Sequence, residues 1–174
     1  RGDHPPAYLD NACVTLKPQS VIDTIHHYYT ETPGCGGRSV HRYGTAVSKS
    51  VADARNKLSQ FLNAPSPNEI VFTRNATHSI NQIAHGLSWK KGDVVLTTDR
   101  EHNSNLVPWL QLEQEQGIDH RVVNSHPDNT FDMEAFEAAC ADAGKNLRMV
   151  AMSHVGNLDG VEIPIAEITK VAHD

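Results

Sequence analysis

The chain has 174 residues and a net charge of −6, from 15 lysines and arginines against 21 aspartates and glutamates, and holds no basic run suited to a nucleic-acid surface. Its three cysteines, Cys13, Cys35 and Cys140, are far apart and show no zinc or dithiol spacing, so a reducing, cytoplasmic setting is expected. No apolar run is long enough to cross a bilayer, which leaves neither a nucleic acid nor a membrane as an expected partner, in a chain long enough for one domain or a large part of a bigger one.

The first segment, Tyr8-Leu9-Asp10-Asn11-Ala12, follows Pro5 and Pro6 and reads as an extended arm ending in turn formers. Pro18 then opens a helix whose apolar positions Val21, Ile22, Ile25 and Tyr29 share one face. His26 and His27 are adjacent, so they diverge and read as surface residues. Thr32 to Arg38 is glycine-rich and continues through His41 and Arg42 as a loop that is flexible or lines a site. A helix is expected from about Ala46 to Leu62, closed by Asn63-Ala64-Pro65-Ser66-Pro67.

From Glu69 the pattern alternates. Ile70, Val71 and Phe72 predict a buried strand, and Asn75 a left-handed turn before a helix near Thr77 to Leu87. Such a junction gathers free backbone N–H groups at a helix N-terminus, with the hydroxyls of Thr73, Thr77 and Ser79 nearby, and so offers a phosphate seat. Strand Val94 to Thr97, a polar turn Asp99 to Asn105, a helix through Trp109 and Leu112 to Gln116, and strand Asp119 to Val123 follow. A helix over Met133 to Ala141, strand Arg148 to Ser153 and a helix over Pro164 to His173 complete a βαβαβαβα order. This order implies an α/β fold, a mainly parallel sheet with helices on both faces, whose ligands collect beyond the carboxyl ends of the strands. The polar clusters Thr73 to Ser79, Asp99 to Asn105 and Ser153 to Asn157 all fall at such ends. The expected domains are 1–45, an arm, helix and glycine-rich loop, and 46–174, the first part of an α/β domain. Ending on a helix with no strand to return to, the chain reads as a fragment. Arg1-Gly2-Asp3 and the Asn75-Ala76-Thr77 glycosylation triplet read as chance matches.

Five ordered motifs, Tyr8 to Ala12, Val40-His41-Arg42, Glu69 to Arg74, Glu101 to Trp109 and His154-Val155-Gly156-Asn157, resemble the first half of class V aminotransferases, nearest the cysteine desulfurase and selenocysteine lyase branch. The resemblance covers nearly the whole chain. It implies the fold type I architecture of pyridoxal-phosphate (PLP) enzymes with an incomplete large domain, a homodimer, an amino-acid substrate and a sulfur-acceptor protein. The implied activity is sulfur removal from L-cysteine through an external aldimine. It places Ala76 and Thr77 at the cofactor phosphate and His102 on the pyridine ring, with a part in proton transfer. Asn157 falls beside the phenolic oxygen and the substrate carboxylate, and His41 and Arg42 in a substrate-side loop near the site entrance. Where the family reads Arg-Gly-Thr-Thr-Glu, this chain has Arg74-Asn75-Ala76-Thr77-His78, with one hydroxyl and one carboxylate fewer. The family's pyridine-pairing aspartate, Schiff-base lysine segment and persulfide cysteine have no match in these residues, and none of the seven lysines sits in such a segment. By itself the chain is therefore expected to be inactive, and the resemblance does not imply that it retains PLP alone. A transaminase or epimerase of the same class, and a non-catalytic half-fold binding protein, stand as the alternatives.

Overall fold

The computed structural model describes residue 4 and residues 6–173. The Arg1-Gly2-Asp3 triplet, Pro5 and Asp174 lie outside the described residues. The chain divides into two compact units, 1–72 and 73–174.

The first unit holds helices α1 (Gln19–Thr30) and α2 (Arg42–Phe61) and a 3-10 turn (Pro67–Glu69). α1 begins one residue after Pro18, as a proline-led helix should. It buries no residue, and Val21, Ile22 and Ile25 are 41%, 49% and 53% exposed along its apolar face. α2 starts four residues earlier than expected because His41 caps it, its Nδ1 accepting from Gly44 N at 3.4 Å. Gly44 is required there, since a Cβ would stand 2.5 Å from the Ser39 carbonyl oxygen that crosses over it.

By its contacts the first unit runs on to Phe72. The physical reason is the reach of α2: the Arg55 Nε donates to the Ile70 carbonyl at 3.1 Å and its guanidinium lies 5.2 Å from the Phe72 ring. Those contacts tie residues 70–72 to the helix. The same segment is not the predicted strand. Ile70 has extended dihedrals but no ladder partner, and Val71 and Phe72 are 69% and 47% exposed. Apolar run and β-branching gave the extended backbone; pairing needs a neighbour that the described residues do not supply.

The second unit is a three-stranded parallel sheet of order β2-β1-β3, with β1 (Val94–Thr98), β2 (Asp119–Val123) and β3 (Leu147–Val150). Helices α3 (Ala76–Gly86), α4 (Val107–Gln116), α5 (Met133–Ala143) and α6 (Ile165–His173) flank it. Every residue of β1 is buried, as the middle strand of a covered sheet must be. Alternation sorts them: Val94 and Leu96 pack with Phe136, Cys140 and Ala143 of α5 and Ile168 of α6. Val95 packs on the other face with Ala84 of α3 and with Trp109 and Leu112 of α4. Leu96, Leu112 and Phe136 are fully buried, each contributing about 1.5–3 kcal/mol. Gly117 ends α4 at φ +69, where other side chains are strained. β3 stops earlier than the expected Ser153, and its last sheet bond runs from Ala151 N to Leu96 O at 2.9 Å.

The helices following β1 and β3, two neighbouring strands, lie on opposite faces. Their loops therefore part at the carboxyl end of the sheet and leave a crevice between them.

Candidate functional site

Glu101, in the loop after β1, is the hub of that crevice. Its carboxylate accepts from Thr98 Oγ1 at 2.8 Å, Asn105 Nδ2 at 2.7 Å, Ser153 N at 2.9 Å and Ser153 Oγ at 2.7 Å. Asn105 is buried, donates also to the Ala151 carbonyl at 2.9 Å and accepts from Trp109 Nε1 at 3.2 Å. One carboxylate thus joins the ends of β1 and β3 and aligns the turn between them with α4. The sequence places Glu101 and Asn105 four residues apart in a polar cluster, a visible signal, but no spacing reveals that Ser153, fifty-two residues away, completes the knot.

A cavity of about 350 Å3 opens beside this knot, lined among others by Ala76, Ser104, Asn105, Trp109, Ala151 and Ser153. Ala76 is the first residue of α3. Asn75 caps this helix from an extended conformation, φ −171, in place of the expected left-handed turn, because its side chain must fold forward for Oδ1 to accept from His78 N at 2.9 Å. Ser79 N is bonded to the Asn75 carbonyl at 3.1 Å. The Ala76 and Thr77 N–H groups have no protein acceptor among the described residues, and both residues are exposed. Two of the three hydroxyls expected nearby are otherwise engaged: Thr73 Oγ1 and Ser79 Oγ bond each other at 2.6 Å. Thr77 keeps its own hydroxyl free among the described residues. Two free N–H groups, one hydroxyl and the positive end of a helix dipole fit a phosphate group.

His102 caps a 3-10 turn (Asn103–Asn105), its Nδ1 accepting from Ser104 N at 3.1 Å and lying 2.9 Å from Ser104 Oγ. An Nδ1 that accepts a backbone N–H leaves the proton of the neutral ring on Nε2 of this exposed side chain. Ser104 is the link from this histidine to the cavity.

Asn157 sits apart from that cavity, on a depression of about 170 Å3 with Asp99, Arg100, Gly156, Leu158 and Asp159. It is exposed, and its amide has no partner among the described residues. Asp159 is held below the usual carboxylate range, chiefly by the Val161 N–H and then by Arg100. Of the expected cofactor residues the structure thus places Ala76 on the first cavity, with Thr77 next to it in α3 and His102 bonded to its lining residue Ser104, and Asn157 on a separate depression. His41 and Arg42 belong to the first unit, where Arg42 lies 4.7 Å from the Tyr43 ring centre and donates to its hydroxyl at 2.7 Å, and His41 meets that ring edge-on. All seven lysines are exposed. The described residues hold no group of three or more histidine, cysteine, aspartate or glutamate side chains placed for a metal, and no described helix is long and apolar enough to cross a membrane.

The aminotransferase class-V family model matches residues 7–174. The chain belongs to the class-V aminotransferase family. A relative from Synechocystis, a probable cysteine desulfurase, is 37% identical over 98% of this chain and 40% of its own length. The chain thus spans about 40% of the length of that curated relative. Among solved structures, the apo cysteine desulfurase of Thermococcus onnurineus superposes with a TM-score of 0.86 at 30% identity, over 95% of this chain and 40% of that one. A C-DES mutant with glycine covalently linked to its PLP cofactor gives 0.70 at 25% identity, over 88% and 38%. The parallel sheet with helices on both faces is accordingly part of a fold type I domain.

Proposed function

We propose that this class-V chain is the N-terminal part of a PLP-dependent cysteine desulfurase. The carrying observation is the crevice at the ends of β1 and β3, where Ala76, with the first of the two unpaired N–H groups of α3, and Ser104, bonded to His102, line a cavity of about 350 Å3. Ala76, Thr77 and the Thr77 hydroxyl hold the cofactor phosphate. When bound, PLP supplies an electron sink for bonds made and broken at the substrate carbon. His102, fixed through Nδ1 by Ser104, covers the ring and carries a proton on Nε2. Asn157 offers its free amide to the phenolic oxygen and the substrate carboxylate. Arg42, with its remaining donors, and His41 take the substrate side.

The rest of the protein supplies the Schiff-base lysine, the aspartate at the pyridine nitrogen and the sulfur-carrying cysteine. The naming of the Synechocystis and Thermococcus relatives supports cysteine as substrate, and with it a protein that accepts the sulfur. A cytoplasmic homodimer belongs to the same reading, and the exposed apolar face of α1 supports an assembly that covers it. The test is the product balance of the full-length protein with PLP and L-cysteine under reductant. Alanine and sulfide in equal amounts support desulfuration. Amino-group transfer to a keto acid or racemised substrate would assign the protein to another branch of the class, and no turnover of any amino acid would leave a binding protein.

A further inference from the structure

We propose that Arg100 and Asp159 are positioning residues whose ion pair fixes the turn carrying Asn157 against the end of β1, a proposal that rests on the binding role given to Asn157 above. The turn from Gly156 to Gly160 is closed within itself: Gly156 N donates to Val161 O at 2.8 Å, Gly160 N to Gly156 O at 2.9 Å, and Val155 and Glu162 form an antiparallel bridge. It is also tight, since a Cβ on Gly156 would stand 2.3 Å from Asp159 Oδ1. Yet its tip projects, with Leu158 92% exposed and Asn157 without a partner among the described residues. Closure within the turn sets its shape but not its placement.

Arg100 supplies the placement. Its Nη2 pairs with Asp159 Oδ2 while Asp159 Oδ1 accepts from Val161 N at 3.1 Å, so one carboxylate grips both the turn and the strand end. Nη1 donates to Asn129 Oδ1 at 2.7 Å, in the turn after β2, and the Arg100 backbone N–H is bonded to Thr98 Oγ1 at 3.2 Å. The guanidinium therefore spans the loops after all three strands. Its side chain is 31% exposed and that of Asp159 23% exposed, so the pair is partly shielded from solvent and, among the described residues, is the polar link between the turn and the loop after β1. A free Asn157 amide on an untethered turn would have to be ordered each time a ligand binds, and the pair removes that cost beforehand.

The test uses the full-length protein and the variants Arg100→Ala, Asp159→Ala, Asn157→Ala and their doubles. In cofactor-free protein, hydrogen exchange at the Gly156 amide is expected to speed up about three- to ten-fold in either latch variant, with no further change in the Arg100→Ala/Asp159→Ala double, and the Val161 amide, whose acceptor Asp159→Ala removes directly, is read in Arg100→Ala alone. Unchanged exchange overturns the latch whatever the protein catalyses. With PLP and amino acid, both latch variants are expected to raise KM about three- to ten-fold with a smaller change in kcat, and to add nothing once Asn157 is alanine. Faster exchange with unchanged KM, in a protein where Asn157→Ala does raise it, overturns the positioning role. If Asn157→Ala itself changes neither PLP nor substrate binding, the role given to Asn157 fails, and the exchange result still decides the latch.

Discussion

Replacing Glu101 by alanine removes the acceptor for four donors at once: the Thr98 hydroxyl, the Asn105 amide, and the Ser153 N–H and hydroxyl. Glu101 and Ser153 are only partly buried, so water partly compensates the Ser153 groups. Thr98 and Asn105 are 6% and 8% exposed and are not. Two buried donors that lose an ionised acceptor cost about 2–4 kcal/mol together, since each unsatisfied group costs about 1–3 kcal/mol and Asn105 keeps its bond to Ala151. The Ser153 amide donates directly to Glu101, so native-state hydrogen exchange reads this locally and needs no two-state unfolding of a larger protein. Exchange at Ser153 is expected to accelerate about 30- to 1,000-fold in Glu101→Ala. Glu101→Gln keeps one oxygen, and with it Thr98, but sets an amide NH2 against that of Asn105. It should fall between the two. Exchange within about three-fold of wild type in the alanine variant would refute the carboxylate's part in joining β1 to β3.

Three further outcomes follow from burial and charge. Burial raises the Cys140 thiol, with Glu137 adding to it, while Cys13 and Cys35 are exposed. Peptide mapping after brief maleimide treatment of the native protein at neutral pH should find Cys13 and Cys35 labelled and Cys140 spared. Burial also lowers His120 below the 6.5 of a free histidine, against the opposing pull of Glu113 and Asp119. The unfolded ring then binds a proton that the folded ring refuses, so this residue's share of stability is lost as pH falls below 6.5 toward the folded value. Comparing denaturation midpoints above and below that pH, His120→Gln should lose less on acidification than wild type, and an equal loss would contradict the assignment. Gly160→Ala should disturb the turn more than Gly156→Ala, because Gly160 stands at φ +71, where a Cβ is strained whatever the space, whereas a Cβ on Gly156 meets only the movable end of the Asp159 side chain. Faster exchange at the position-160 amide than at the same amide of the Gly156 variant is the readout.

Much of the second unit was legible because its signals are local. β2 is Asp119–Val123 as the alternation predicts, and α4 ends at Gly117 because a left-handed residue there needs no distant partner. The 70–72 segment was misread for the opposite reason. Its β-branched run specifies extended backbone, whereas strand status depends on what lies alongside, and here Arg55 takes the Ile70 carbonyl. The site divides in the same way. The free N–H groups at Ala76 and Thr77 follow from a strand-like segment running into a helix. That Thr73 and Ser79 would satisfy each other, that Ser153 would close on Glu101, and that Arg100 would reach Asp159 are juxtapositions made by the sheet.

The central claim, that the start of α3 seats the phosphate of PLP, is tested most directly by Ala76→Pro in the full-length apoprotein. Proline is tolerated at a first helical position and the extended Asn75 before it suits a following proline, so the change deletes one N–H donor and leaves the helix. Titration with PLP, and with pyridoxal as the form without phosphate, separates the phosphate from the ring. A loss of about ten- to a hundred-fold in PLP affinity is expected, the worth of a hydrogen bond to a charged group, with pyridoxal affinity unchanged. Equal affinities for PLP in the variant and the wild type would contradict the claim.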